Sequence, residues 1–172
     1  MATIEVRPPA ALTMNTTKAG HYVGVHLIFC VGQNYAEHIA EMGGAQRKPA
    51  DLFMKPNSAV VESGAIIPFP PATENFHHEV ELVVILKSGG SYIKVSEALS
   101  HIYGYAVGND LTRRDIQTGA KHKKSPWDMA KGFDNSAVIG TVHPVAEVGH
   151  PTAGTVQCSV DGEVRQRGNL TQ

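Results

Sequence analysis

Glu79 and Glu81 stand two residues apart at the head of the apolar run Val80 to Leu86. On a strand, that spacing sends both carboxylates to the same face. Two like charges are costly to bury side by side unless a cation stands between them. The alternative is a solvated face at the strand's start, a common place for acids. Asp110 closes a second apolar run, Tyr103 to Gly108, just before a helical pattern. If the two strands are neighbours, three carboxylates converge. Three hard oxygen donors without a thiolate suit Mg2+ or Mn2+, with Ca2+ admissible; Asp110 alone would equally serve as a turn residue. His77 and His78 raise zinc or a two-histidine iron site. Adjacent strand residues point to opposite faces, so only one of the two joins the carboxylates, and no His-Glu-x-x-His or Cys-x-x-Cys spacing supports zinc.

Two further pairs have helical spacing. His38 and Glu41 share a face three residues apart, an arrangement that holds an imidazole tautomer and raises its basicity for activating water. A surface pair is the plainer reading. Arg114 and Gln117, also three apart, offer a planar fork and a second donor for a carboxylate, although the adjacent Arg113 and Arg114 would equally suit solvent. Lys55 and Lys131 sit among apolar residues, where a lysine either snorkels or functions.

These residues need elements to hold them. Strands are expected at Val25–Val31, Leu52–Lys55, Ala59–Val61, Ala65–Pro68, Glu79–Leu86, Tyr103–Gly108 and Ala137–Val142. The run Val80–Leu86 is apolar enough for burial on both faces. Short helices are expected over Tyr35–Met42 after Asn34, over Ser96–His101, and from Thr112 to about Ala120 with Asp115 in a capping-box position. Val156–Val160 and Glu163–Gln166, joined by Asp161-Gly162, form a hairpin with a two-residue turn. Residues 1–26, rich in Pro and Thr, read as an extension packed loosely on the surface, and 27–172 as the catalytic domain. The pattern is α+β, mostly β.

The 172 residues suit one domain. A hydrophobic fraction of 42% and a formal charge of −1 suit a folded core and give no attraction for nucleic acid or an acidic membrane. No run approaches the ~20 apolar residues of a membrane span, and Met1–Thr17 lack the apolar core of a secretory signal. Cys30 and Cys158 read as buried thiols in a reducing cytoplasm. No Walker loop, Gly-x-Gly-x-x-Gly or Gly-x-Ser-x-Gly motif occurs.

Several runs, in order, resemble the fumarylacetoacetate hydrolase family, especially its small members. They are Phe29-Cys30-Val31-Gly32-Gln33-Asn34-Tyr35 with His38 and Glu41, Leu52-Phe53-Met54-Lys55-Pro56, and His77-His78-Glu79-Val80-Glu81-Leu82. Asp110-Leu111-Thr112-Arg113-Arg114-Asp115-Ile116-Gln117 and Pro126-Trp127 through Lys131 complete the set. The resemblance implies a mixed β-sheet roll with short helices, generally a homodimer. Glu79, Glu81 and Asp110 would bind metal, and His38 with Glu41 would activate water on a segment closing over substrate. Lys131 would stabilise an enolate. Arg114 and Gln117 would hold the carboxylate of a small 2-oxo acid, with Lys55 and Gln33 as further substrate contacts. Many relatives have Arg where this chain has Gln33, so a carboxylate contact there would be weaker. The implied reaction is hydrolysis of a 3-acylpyruvate, with fumarylpyruvate the best match, and oxaloacetate decarboxylation or general acylpyruvase activity as alternatives. Members of the family continue past the last hairpin into a Thr-Gly-Thr-Pro segment. The chain is therefore expected to be shortened and poorly active, with an inactive fragment as the reading from another class.

Overall fold

The computed structural model describes residues 12–32, 34 and 51–171. Its centre is a five-stranded mixed sheet built on β8, Ile102–Asp110. Along one edge β8 pairs antiparallel with β7, Val80–Leu86. Along the other it pairs antiparallel with two short strands, β10 (Ala137–Ile139) near its end and β11 (His143–Pro144) near its start. β5 (Val60–Glu62) extends the sheet by running parallel to β10. Four two-stranded antiparallel pairs surround it: β1 (Thr13–Asn15) with β2 (Tyr22–Gly24), β3 (Leu27–Gly32) with β4 (Asp51–Pro56), β6 (Phe76–His77) with β9 (Thr112–Arg113), and β12 (Thr155–Val160) with β13 (Glu163–Asn169). The described helices are short: α1 (Val95–Ala98), α2 (Arg114–Lys123), α3 (Asp128–Lys131) and α4 (Val145–Val148). The α+β, mostly β architecture expected from the sequence is the one found.

Register decides which residues meet. Glu81 stands opposite Gly108, Val83 opposite Ala106 and Ile85 opposite Gly104. Directly opposed residues of an antiparallel pair share a face, and this is the core face. Ile85 and Ala106 join Met14, Ile139 and Val142 in the buried cluster. One sheet face therefore carries the apolar core at one end and the carboxylates at the other.

Several expectations are corrected. β7 is not buried on both faces: on the face opposite the core, Val84 and Leu86 are left exposed among the described residues. Ala65–Pro68 is not a strand: the neighbouring prolines remove ladder donors and Ile66 lies in solvent. Thr112 does not start the helix after Asp110. Its backbone is taken by His77 in the β6–β9 pair, so α2 begins at Arg114. Asp115 caps no box; it accepts hydrogen bonds from Thr73 Oγ1 and the Glu74 N–H, pinning the preceding loop to the helix. α1 starts at Val95 with no side-chain cap, one residue before Ser96. In the described part of the first segment, residues 12–26, the covering is not loose: Met14 is buried and the Thr17 N–H donates to the Val142 carbonyl at 2.9 Å. The hairpin prediction agrees with the structure, Asp161 and Gly162 taking φ of 53° and 83° as a two-residue turn between twisted strands requires. The expected helix Tyr35–Met42 lies outside the described residues.

Candidate functional site

The end of β8 and the start of β7 bring the three acids together. The Asp110 N–H donates to the Glu79 carbonyl at 2.8 Å, which sets these residues side by side. Asn109 Oδ1 accepts from the Glu79 N–H at 2.9 Å and fixes the strand's entry. Gly108, opposite Glu81, leaves the space that a side chain would take; a Cβ there would stand 2.6 Å from Val83 Cγ2.

Three cations of the chain meet these acids. Lys131, at the end of α3, is buried, and its Nζ bridges Glu79 Oε2 at 2.6 Å and Asp110 Oδ2 at 2.8 Å. Arg114, opening α2, donates from Nη2 to Glu79 Oε1 and from Nη1 to Gln117 Oε1, while Nε reaches His77 Nδ1 at 3.4 Å. Lys55, on β4, is 2% exposed and lies 2.8 Å from Asp110 Oδ1. Its ammonium hydrogens are committed to the carbonyls of Leu111, Lys131 and Ser136. An ammonium has three donors, so the Lys55–Asp110 contact is an ion pair without a directed hydrogen bond. Asp110 Oδ1 is accordingly a buried acceptor with no hydrogen-bond partner.

Titration follows this distribution. Burial alone would raise the Glu79 pKa, but Lys131 and Arg114 more than reverse that and hold it below the usual carboxylate range. Glu81 has no cationic partner among the described residues. Burial, with Asp110 and Glu79 adding to it, pushes its carboxyl up to about 8. Burial lowers the Lys55 pKa against the opposing pull of Asp110. Burial also leads in raising the Cys30 thiol to about 12, so Cys30 is no nucleophile. Cys30 and Cys158 are both free and half-buried, short of the full burial expected.

The residues picked out by sequence thus divide. Glu79, Glu81, Asp110, Arg114, Gln117, Lys131 and Lys55 are brought together; His38, Glu41 and Gln33 lie outside the described residues. Among the described residues, no three acidic, histidine or cysteine side chains stand ready-arranged around a cation. The reason is visible: Glu79 and Asp110 are turned toward Lys131. The donor set still fits a hard divalent ion, since it offers oxygens only, one of them without a hydrogen bond, beside an acid without a counter-charge. Sequence reading missed Asn109, whose side chain holds Glu79, and Ser136, whose Oγ donates to the Lys131 carbonyl at 2.9 Å. Neither has a spacing that could reveal it. Arg113, which could have been solvated, is buried instead, its guanidinium 4.3 Å from the Phe133 ring centroid.

Comparison with known proteins agrees with this fold. The crystal structure of fumarylpyruvate hydrolase from Pseudomonas aeruginosa in complex with Mn2+ and pyruvate is similar with a TM-score of 0.91 and 39% identity, over 97% of this chain and 74% of that one. Oxaloacetate tautomerase FAHD1 of Arabidopsis thaliana is 41% identical over 82% of this chain. Oxaloacetate tautomerase YcgM of Escherichia coli is 40% identical over 84% of it. The chain spans 63% and 66% of those two relatives' lengths. Residues 27–172 match the profile described as fumarylacetoacetate (FAA) hydrolase, C-terminal, and the chain belongs to the fumarylacetoacetate hydrolase family.

Proposed function

We propose that the protein is a divalent-metal-dependent enzyme acting on a small 2-oxo acid. Its reaction in this reading is hydrolysis of the carbon–carbon bond of a 3-acylpyruvate, with fumarylpyruvate giving fumarate and pyruvate. The observation that carries the reading is the gathering of Glu79, Glu81 and Asp110 on one sheet face beside Lys131 and the Arg114–Gln117 pair.

Glu79, Glu81 and Asp110 are the proposed ligands of Mg2+ or Mn2+, which when bound supplies Lewis acidity to the 2-oxo acid head. Arg114 and Gln117 orient the substrate carboxylate. Lys131 places an ammonium where negative charge develops, and such placement is usually the largest single contribution to catalysis. His38, oriented by Glu41, takes a proton from the attacking water. The water oxygen bonds to the acyl carbonyl carbon, the carbon–carbon bond breaks, and its electron pair passes into a pyruvate enolate. Protonation at carbon then gives pyruvate. Gln33 is a substrate contact in this reading, while Lys55, enclosed by carbonyls, serves by holding Asp110. A homodimer of a 27–172 catalytic domain in the cytoplasm completes it; two free thiols suit a reducing compartment. No helix among the described residues is long and apolar enough to cross a membrane.

A second reading is enolisation or decarboxylation of oxaloacetate. The relatives named oxaloacetate tautomerases favour it, and the described cluster could polarise a 2-oxo acid without an activated water. Pyruvate release from fumarylpyruvate, shorter acylpyruvates and oxaloacetate, together with the ultraviolet absorbance of the oxaloacetate enol, each followed with added Mg2+ or Mn2+, tests the proposal. Release from fumarylpyruvate that chelation abolishes supports hydrolysis. Turnover of oxaloacetate alone selects the second reading, and no turnover of any of them overturns both.

A further inference from the structure

One face of α2 begins at the site, where Arg114 bonds to Glu79 and Gln117. Arg114, Gln117 and Lys121 are spaced three and four apart and so line the same side. Arg114 and Lys121 are about 10 Å apart along the axis at the rise of a helix. The inner end of this row is tied to Glu79. Its outer end is Lys121, half-buried, with its ammonium 5.2 Å from the centroid of the Trp127 ring. Trp127 itself packs 5.5 Å from Phe53, and its ring lies 3.5 Å from where a Cβ on Gly32 would stand. Among the described residues, no carboxylate forms an ion pair with Lys121, whereas Lys55, Arg114 and Lys131 all have one. Burial and the nearby Arg114 lower the Lys121 pKa, with Lys131 adding to the effect and Glu79 and Asp51 opposing it.

We infer that Lys121 is a specificity residue that receives a second carboxylate at the far end of the substrate, so that the site takes extended dicarboxylic 2-oxo acids. The inference rests on the 2-oxo acid reading above. A half-desolvated ammonium beside other cations gains from an anionic partner in contact with it, and among the described residues no carboxylate makes that contact. The Trp127 face beneath it suits a flat, unsaturated chain passing between the two charged ends. A neutral acyl tail would leave Lys121 as it is. The plainer role, an ammonium resting on an indole ring, predicts no preference between the two tails.

The test uses two uncleavable ligands, 2-oxopimelate and 2-oxoheptanoate, which share the head and chain length and differ in the terminal carboxylate. Binding to the full chain with Mg2+ is measured by calorimetry and by the fluorescence of Trp127, the protein's one tryptophan. We expect 2-oxopimelate to bind about tenfold more tightly, as for a hydrogen bond to a charged group. Lys121→Met should erase that preference while 2-oxoheptanoate affinity persists, which also reports an intact fold. Lys121→Arg should keep part of it. Equal affinities in the unsubstituted protein, or a preference that survives Lys121→Met, overturn the inference alone. Failure of both ligands to bind overturns the 2-oxo acid reading and this inference with it.

Discussion

Glu81 differs from its neighbours in having no counter-charge among the described residues, whereas Glu79 has two and Asp110 has two. A divalent ion would therefore change Glu81 most. Glu81→Gln keeps the shape and removes the charge, and we expect it to weaken Mn2+ binding by about tenfold or more, the scale on which even supporting residues of metal sites act. Calorimetric titration checks this, and unchanged affinity removes Glu81 from the ligand set. His38 poses a separate question, because only hydrolysis needs a base for water. His38→Ala should reduce acylpyruvate hydrolysis by ~10²-fold or more and spare most of any oxaloacetate turnover. Equal losses in the two assays would make His38 a positioning residue for either reaction.

Among the elements, α2 bears the most on the site, and its placement depends on a contact outside its own sequence. Asp115 holds Thr73 and Glu74 against the helix, and those bonds keep its carboxyl below its ordinary value of 3.8. A depressed carboxylate stabilises the fold fully above its unfolded pKa and loses that contribution as pH falls through the folded one. Asp115→Ala should thus lower Tm at pH 7, and the gap from the unsubstituted protein should close below about pH 3.8. A gap that stays constant down to pH 2 would mean that Asp115 acts through packing. The same element shows what a sequence can and cannot disclose. Apolar runs and turn chemistry made β7, β8 and the Asp161-Gly162 hairpin legible, along with the shared face of Glu79 and Glu81. The pairing of Thr112 with His77 was not legible, because it joins residues 35 positions apart and no local pattern encodes the partner. For the same reason Lys55 read as a pocket residue: its isolation among apolar neighbours was visible, but the three carbonyls that enclose it come from Leu111, Lys131 and Ser136.

At the scale of the whole molecule, stability and metal binding should be separable. The apolar core around Met14, Ile85 and Val142 shares its sheet face with the acids but does not include them, and Lys131, Arg114 and Lys55 already offset the charges of Glu79 and Asp110. The chelated protein should therefore stay folded and melt cooperatively. Added Mn2+ should raise Tm further with concentration, as expected for an ion that binds only the native state, and Glu81→Gln should blunt the rise. An unfolded far-ultraviolet spectrum after chelation would instead make the ion part of the fold. Lys131 ties these scales together. Its ammonium lies across the gap between Glu79 and Asp110 like a keystone, and a divalent ion bound by the same oxygens can enter only by exchange with it. In the proposed reading, uptake of metal and release of a lysine donor toward the substrate would be one event, an interlock in which the group that would steady the product's negative charge is freed only when the centre is charged.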